Sequence, residues 1–263
     1  TKGIATVNSF AGVAGAKVIP VDVGINKDMS SVDGIINKKV AYGTKNMAIQ
    51  AAMTKSECIE AIIVGIEMVG NLKKDGFNMI ITGEMGIGNT TTSSAVLSVL
   101  ENIPVEKVTG RGAGLTKSGI NHKIDVIKKA IAVNRPESSD VIDVLSKLGG
   151  FDICAITGAF LGGAIYHIPV IIDGFISAVA ADCAIRLSEN CANYIFASHV
   201  SAEPAGQMAL SAIGKTAYIN AGMCLGEGTG AILAAQLFDY ALAAYNETAD
   251  FDKAAFGHYT LLD

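Results

Sequence analysis

Two short stretches hold most of the chemistry this chain can do: TGEMGIGNTT, residues 82–91, and LGEGTG, residues 225–230. Each sets a carboxylate, Glu84 or Glu227, among glycines just ahead of an apolar run. In the first, the turn Gly86-Ile87-Gly88-Asn89-Thr90-Thr91 lets backbone N–H groups come close to a ligand. A helix expected to start near Thr90 would aim its free N–H groups and positive dipole end at the same spot. Asn89, Thr90 and Thr91 add side-chain donors, and an anion the size of a phosphate fits. The pattern is neither G-x-x-x-x-G-K-[ST] nor G-x-G-x-x-G, so a nucleoside triphosphatase is disfavoured. The missing lysine must be replaced from elsewhere.

Two cations are candidates. The flexible GRGAGL, residues 110–115, carries Arg111, and Lys123 follows. The plainer readings are a tight turn with ordinary N-capping for the first stretch and a solvated helix lysine for Lys123. Glu227 likewise has a bland reading, an acid favoured by a helix N-terminus. The sharper one is a general base, because an apolar pocket raises a carboxyl pKa toward the working pH. In HVSAEP, residues 199–204, His199 and Ser201 alternate along a strand end and so face one side. No G-x-S-x-G surrounds Ser201, and the four histidines show no H-x-x-x-H spacing. A hydrogen-bonding role for Ser201 is therefore favoured over a Ser-His nucleophile or a His/Glu metal site.

The elements that would hold these residues follow from apolar patterning. Residues 16–25, 77–85, 152–160, 169–175 and 193–200 read as buried strands. Thr54-x-x-Glu57 is a capping box that opens a helix running to Gly76. Residues 92–102, 124–134, 140–148, 176–187 and 204–214 read as helices, and the second glycine turn opens a long terminal one. Alternation of this kind predicts an α/β fold with a doubly wound, mostly parallel sheet, Rossmann-like and three-layered. Ligands bind beyond the carboxyl ends of such strands. Asp22, Glu84, Asp173, and His199 with Ser201 would stand there, and several polar residues at one end of one sheet point to a site.

Composition narrows the classes. With 263 residues, half of them hydrophobic and 17% charged, the chain can fill a large core, and long disorder is excluded. A net charge of −5 gives no general pull toward nucleic acid or an anionic membrane, so an anion site must be built locally. Cys58, Cys154, Cys183, Cys191 and Cys224 form no C-x-x-C pair and read as reduced small hydrophobes of a cytoplasmic protein. The apolar span 158–185 is broken by His167, Pro169, Asp173 and Asp182, so it reads as core and not as a membrane span.

Taken together, GEMGIGNTT, GRGAGL, GGFDICAITGAFLGGA, PVIIDGF, SHVSAEP and GMCLGEGTGA resemble the nicotinate-nucleotide–dimethylbenzimidazole phosphoribosyltransferase family. The motifs run in family order from about Asp22 to the terminal helix, with GTKNMA (43–48) and AAMT (51–54) among them. The resemblance implies transfer of phosphoribose from nicotinate mononucleotide to an aromatic base, usually 5,6-dimethylbenzimidazole, with inversion at the anomeric carbon and without metal or organic cofactor. It implies that Gly86, Gly88, Asn89, Thr90, Lys123 and Ser201 hold the 5′-phosphate, with Ile87, Asp173, Leu225 and Gly226 completing the substrate-binding set. Glu227 would be the general base, and Glu84 would lie beside the ribose. It further implies a single phosphoribosyltransferase domain over residues 1–263, a small second domain only partly present, and a family segment ahead of the first residue. A homodimer, or a heterodimer with a paralogous subunit, is expected. Thr92 stands where the family has Pro, and Ala113 where GRGTGL has Thr. Phenolic acceptors, and a nucleotide-binding subunit without turnover, are the alternatives.

Overall fold

The computed structural model describes residues 2–249. After helix α1 (Thr6–Ala14), strand β1 (Val21–Asp22) pairs in parallel with β2 (Ile36–Asn37). Helix α2 (Lys55–Lys74) leads to β3 (Ile80–Ile81), and α3 (Asn89–Leu100) follows the first glycine turn. Four helices come next: α4 (Val105–Val108), α5 (Lys117–Asn134), α6 (Val141–Leu148) and α7 (Phe151–Tyr166). Strand β4 (Val170–Ile171), α8 (Phe175–Leu187), a 3-10 turn (Glu189–Asn193), β5 (Ile195–Phe196), α9 (Gly206–Ala212) and α10 (Thr229–Glu247) complete the order. This is an α/β fold whose paired strands are all parallel.

Two expectations are corrected. The strands do not form one sheet: β1 and β2 stand apart from the three-stranded sheet β3-β4-β5, in which β4 is central. Asp22 therefore leaves the set of residues at one sheet end. Its Oδ1 accepts the N–H groups of Gly24 (3.0 Å) and Ile25 (2.9 Å), and its Oδ2 lies 2.7 Å from Lys39 Nζ. It is a turn-fixing acid, held ionised by those partners against its burial.

The second correction concerns residues 152–160, expected as a strand and found as the first half of α7. The segment is buried on nearly all sides, so its apolar run shows no amphipathic period. Its glycines serve helix packing. A Cβ on Gly158 would overlap the carbonyl oxygen of Ile62, and one on Gly65 would overlap that of Ala155. Helices α2 and α7 cross there backbone to backbone, and this is the most extensive helix–helix contact of the fold.

The helix expected over 124–134 begins earlier, at Lys117 behind the Thr116 cap, whereas the capping box forms as expected. Thr54 Oγ1 accepts Glu57 N–H at 3.2 Å while Glu57 Oε2 accepts Thr54 N–H at 2.7 Å, a complete capping box. One large core joins α2, α3 and α5–α8 with the central sheet, and Val170 and Ile172 of the β4 segment are fully buried in it. Cys58, Cys154, Cys183 and Cys191 lie buried and unpaired, and Cys224 is exposed. Among the described residues no helix is long and apolar enough to cross a membrane. Along α10, Leu237 and Tyr240 are exposed, whereas Phe238 packs edge-on against Phe196 and Tyr218.

Candidate active site

Three loops meet at the carboxyl ends of β3, β4 and β5. The first runs from Thr82 to the N-terminus of α3. Gly88 adopts φ 81° and no side chain caps the helix, so its first-turn N–H groups face the loop. Ile87 stands fully exposed at the tip. The Asn89 side chain turns inward: its amide nitrogen donates to Glu84 and, at 2.9 Å, to Asp152 Oδ2. Burial pushes the Glu84 carboxyl above its ordinary value; the Asn89 hydrogen bond opposes this, and the charges of Asp152 and Asp173 add to it. Apolar patterning gives Asp152 no place in the site, because its segment reads as a strand. At the second residue of α7 it reaches this loop instead. The signal is an acid just after the pair Gly149-Gly150, a helix-start pattern.

The second loop carries Glu227. Gly226, Glu227 and Gly228 all have positive φ, at 75°, 62° and 95°. Glycine takes that conformation freely, but for Glu227 it stores about 1–3 kcal/mol of strain. The strain has an evident source of support. Asp173, 3% exposed, accepts the N–H groups of Gly228 (3.0 Å), Gly230 (2.9 Å) and Ala231 (3.1 Å). The carboxylate is engaged by the first turn of α10 and fixes the residue that precedes it. Burial nevertheless lifts the Asp173 pKa above its ordinary value, against the backbone donors and His199. The loop then meets the first one, since a Cβ on Gly226 would lie 3.3 Å from Glu84 Oε1. Glu227 is half-buried, and its Oε2 accepts Val7 N–H at 3.2 Å. Leu225 beside it is exposed.

The third loop separates His199 from Ser201. His199 is buried against Gly230, its Nδ1 3.0 Å from Ser198 Oγ, and burial lowers its pKa against the pull of Asp173. Ser201 is half-buried, and its Oγ accepts Glu203 N–H at 3.3 Å. No nucleophile pair forms from the two.

The lysine that reaches the first glycine turn is Lys123. It lies on α5, 5% exposed, and its Nζ donates to Thr90 Oγ1 at 2.9 Å and to Gly110 O at 3.3 Å. An ammonium has three donors, so one remains for an incoming anion. Burial lowers the Lys123 pKa, and the charge of Glu203 works the other way. The segment 110–112 is drawn in with it: Glu203 Oε1 accepts Gly112 N–H at 2.8 Å. Thus Thr90 and Lys123 come together, Glu84, held by Asn89, meets the Glu227 loop, and Asp173 is turned beneath that loop.

Parallel strands whose carboxyl ends gather a buried lysine, a helix N-terminus and acidic loops have the layout of an α/β transferase. A family model described as Phosphoribosyltransferase matches residues 1–256, and the chain belongs to that family. Nicotinate-nucleotide–dimethylbenzimidazole phosphoribosyltransferase of Ruminiclostridium cellulolyticum is 49% identical over 262 residues, covering 100% of this chain and 74% of the relative. The protein of the same name from Acetivibrio thermocellus is 48% identical, covering 98% and 73%. The crystal structure of CobT from Thermus thermophilus superposes with a TM-score of 0.93 at 33% identity, over 98% of this chain and 77% of that one.

Proposed function

We propose that the chain transfers phosphoribose from nicotinate mononucleotide to 5,6-dimethylbenzimidazole or a related aromatic base. The observation that carries this reading is the Thr90–Lys123 pair at the α3 N-terminus, set beside the contact of Glu84 with Gly226 in the loop that carries Glu227. The 5′-phosphate sits on the α3 N-terminus, Gly86, Gly88, Thr90 and Lys123, with Ser201 at the loop edge. Ile87, Leu225 and Gly226 frame the bases. Asn89 and Asp173 act by positioning, the first holding Glu84 and the second holding the Glu227 loop.

The chemistry then balances. The bond between ribose C1′ and the pyridinium nitrogen breaks, and its electron pair stays on nitrogen, so neutral pyridine leaves without an acid. Positive charge grows on the ribose, and Glu84 and Glu227 stabilise it. A ring nitrogen of the acceptor attacks C1′ from the opposite face, which inverts the centre, while Glu227 takes the proton from the other ring nitrogen. Holding both reactants in line supplies much of the remaining rate. The reaction needs no metal or organic cofactor. A second copy covers the exposed apolar side of α10 at Leu237 and Tyr240, giving a homodimer. A cytoplasmic setting fits the five unpaired cysteines.

The test mixes the protein with nicotinate mononucleotide and a panel of benzimidazoles and phenols, with Glu227→Gln alongside. Nicotinate and an α-N-riboside phosphate, lost in the variant, are the expected products. Products from phenols alone would move the acceptor to that class. Mononucleotide binding without turnover on any acceptor would overturn the catalytic reading.

A further inference from the structure

We infer that Glu203 is a clasp over the phosphate subsite, holding the 110–112 segment down on Lys123 until the substrate phosphate displaces it. The inference rests on the assignment of Lys123 and Thr90 to that phosphate.

Four observations meet here. Glu203 Oε1 accepts Gly112 N–H at 2.8 Å across 91 residues of chain, which ties the loop after β5 to the glycine segment. Its other carboxylate oxygen lies against Gly110, where a Cβ would collide with it. Gly110 O is itself an acceptor of Lys123, and a Cβ on Gly112 would lie 3.6 Å from Lys123 Nζ and 2.7 Å from Thr90 Oγ1. The glycine segment is therefore sandwiched between the carboxylate and the ammonium. Among the described residues Lys123 makes no ion pair with any carboxylate, so Glu203 acts on it through space, not by contact.

The consequence is competition. A backbone N–H beside a lysine and a threonine hydroxyl suits a phosphate oxygen. In this structure that N–H is engaged by the protein's own carboxylate. An arriving dianion is repelled by Glu203 and attracted by Lys123, so it gains most when the carboxylate swings away. Glu203 thereby sets mononucleotide affinity without touching the reacting atoms. Its base, with N–H bonded to Ser201 Oγ and C=O accepting Gly206 N–H, is anchored independently, so the side chain can move alone.

Two variants test this. Glu203→Gln keeps the acceptor for Gly112 N–H and removes the charge. Glu203→Ala removes both. Binding of nicotinate mononucleotide and of inorganic phosphate is measured by calorimetry, and amide hydrogen exchange is followed over residues 110–115. The expected result is binding at least threefold tighter in Glu203→Gln for both ligands, with KM lowered and kcat little changed. Faster exchange of residues 110–115 is expected in Glu203→Ala alone. Unchanged or weaker binding in Glu203→Gln, or unchanged exchange in Glu203→Ala, overturns the clasp. Neither readout requires turnover, so an inactive wild type would contradict the proposed reaction and leave the clasp to be judged on binding and exchange.

Discussion

Lys123 Nζ donates to Thr90 Oγ1 at 2.9 Å, across 33 residues and two helices. A buried ammonium is costly, and among the described residues two acceptors offset that cost. The expected role is phosphate binding. Lys123→Met, which keeps the apolar stem, should raise the KM for nicotinate mononucleotide by about 10- to 100-fold, as loss of a charge-assisted contact of about 1.5–3 kcal/mol predicts. Stability should hold or rise, because a buried charge is removed. In the wild type, burial lowers the Lys123 pKa. The ammonium is lost as pH rises through that lowered value, so KM should climb at a pH below the ordinary lysine range. Steady-state kinetics across pH, with the variant showing no such climb, checks it.

Asp173 fixes Glu227 through the three N–H groups it accepts at the start of α10. An asparagine there would turn an N–H2 toward at least one of those donors. Unpaired, each costs about 1–3 kcal/mol, so Asp173→Asn should lower Tm by several degrees at this chain length. It should also drop kcat at least tenfold while leaving phosphate affinity near the wild type, because the Lys123 cradle stands on other elements. Equal losses in kcat and phosphate binding would show that the damage is global.

Some of this is legible in the residue string, and the limits are physical. Glycine turns and the Thr54–Glu57 capping box are local and form as their chemistry predicts, whereas α5 starts at Lys117, behind the Thr116 cap, and not at residue 124. Strands stand where expected near Ile80, Val170 and Ile195, because β-branched runs flanked by glycine and polar residues mark buried strands. Their partition into two sheets is not legible, since pairing is a long-range choice that Asp22 and Asp173 do not encode differently. Residues 152–160 mislead for a related reason: a helix buried on all sides has no period, and only the packing partner explains Gly158. Asp152 goes unseen with that segment. Asp173 stands just past the carboxyl end of β4, where the residue pattern puts it, but the direction of its carboxylate is hidden, because its partners are backbone groups more than 50 residues ahead.

Gly158 offers a direct test of the helix crossing. A methyl there would run into the Ile62 carbonyl oxygen, which is backbone and cannot rotate aside. Overpacking at such a point costs about 1–3 kcal/mol or more. Gly158→Ala should therefore cost at least about 2 kcal/mol in denaturant unfolding, or prevent folding. Gly12, within α1 and with nothing within 4 Å of its would-be Cβ, is the control. Gly12→Ala should stabilise by about 0.5–1 kcal/mol through helix propensity alone. Equal effects at the two glycines would mean that α2 and α7 do not cross this closely.

A buried acid away from the site makes stability depend on pH. Asp182 on α8, its side chain 4% exposed, accepts Arg186 Nε at 2.9 Å through Oδ1, while Oδ2 has no hydrogen-bond partner among the described residues. Arg186 also reaches Glu101. Burial raises the Asp182 pKa from 3.8 to about 6; Arg186 opposes the rise and Glu101 adds to it. A carboxyl with the higher pKa in the folded state binds its proton more tightly there. The native state is thus favoured most below about pH 4, and this contribution fades as pH climbs to about 6, by about 3 kcal/mol for such a shift. Above about pH 6 the loss is complete and the curve flattens. Asp182→Asn has no proton to lose, so its stability should not fall over that window, although it forgoes the charge pairing with Arg186. Chemical denaturation of both proteins at intervals from about pH 4.5 to about 7.5 decides the matter. A stability difference that shifts toward the variant with rising pH, by about 1–3 kcal/mol, is the expected result. Parallel curves would mean that Arg186 holds Asp182 ionised throughout.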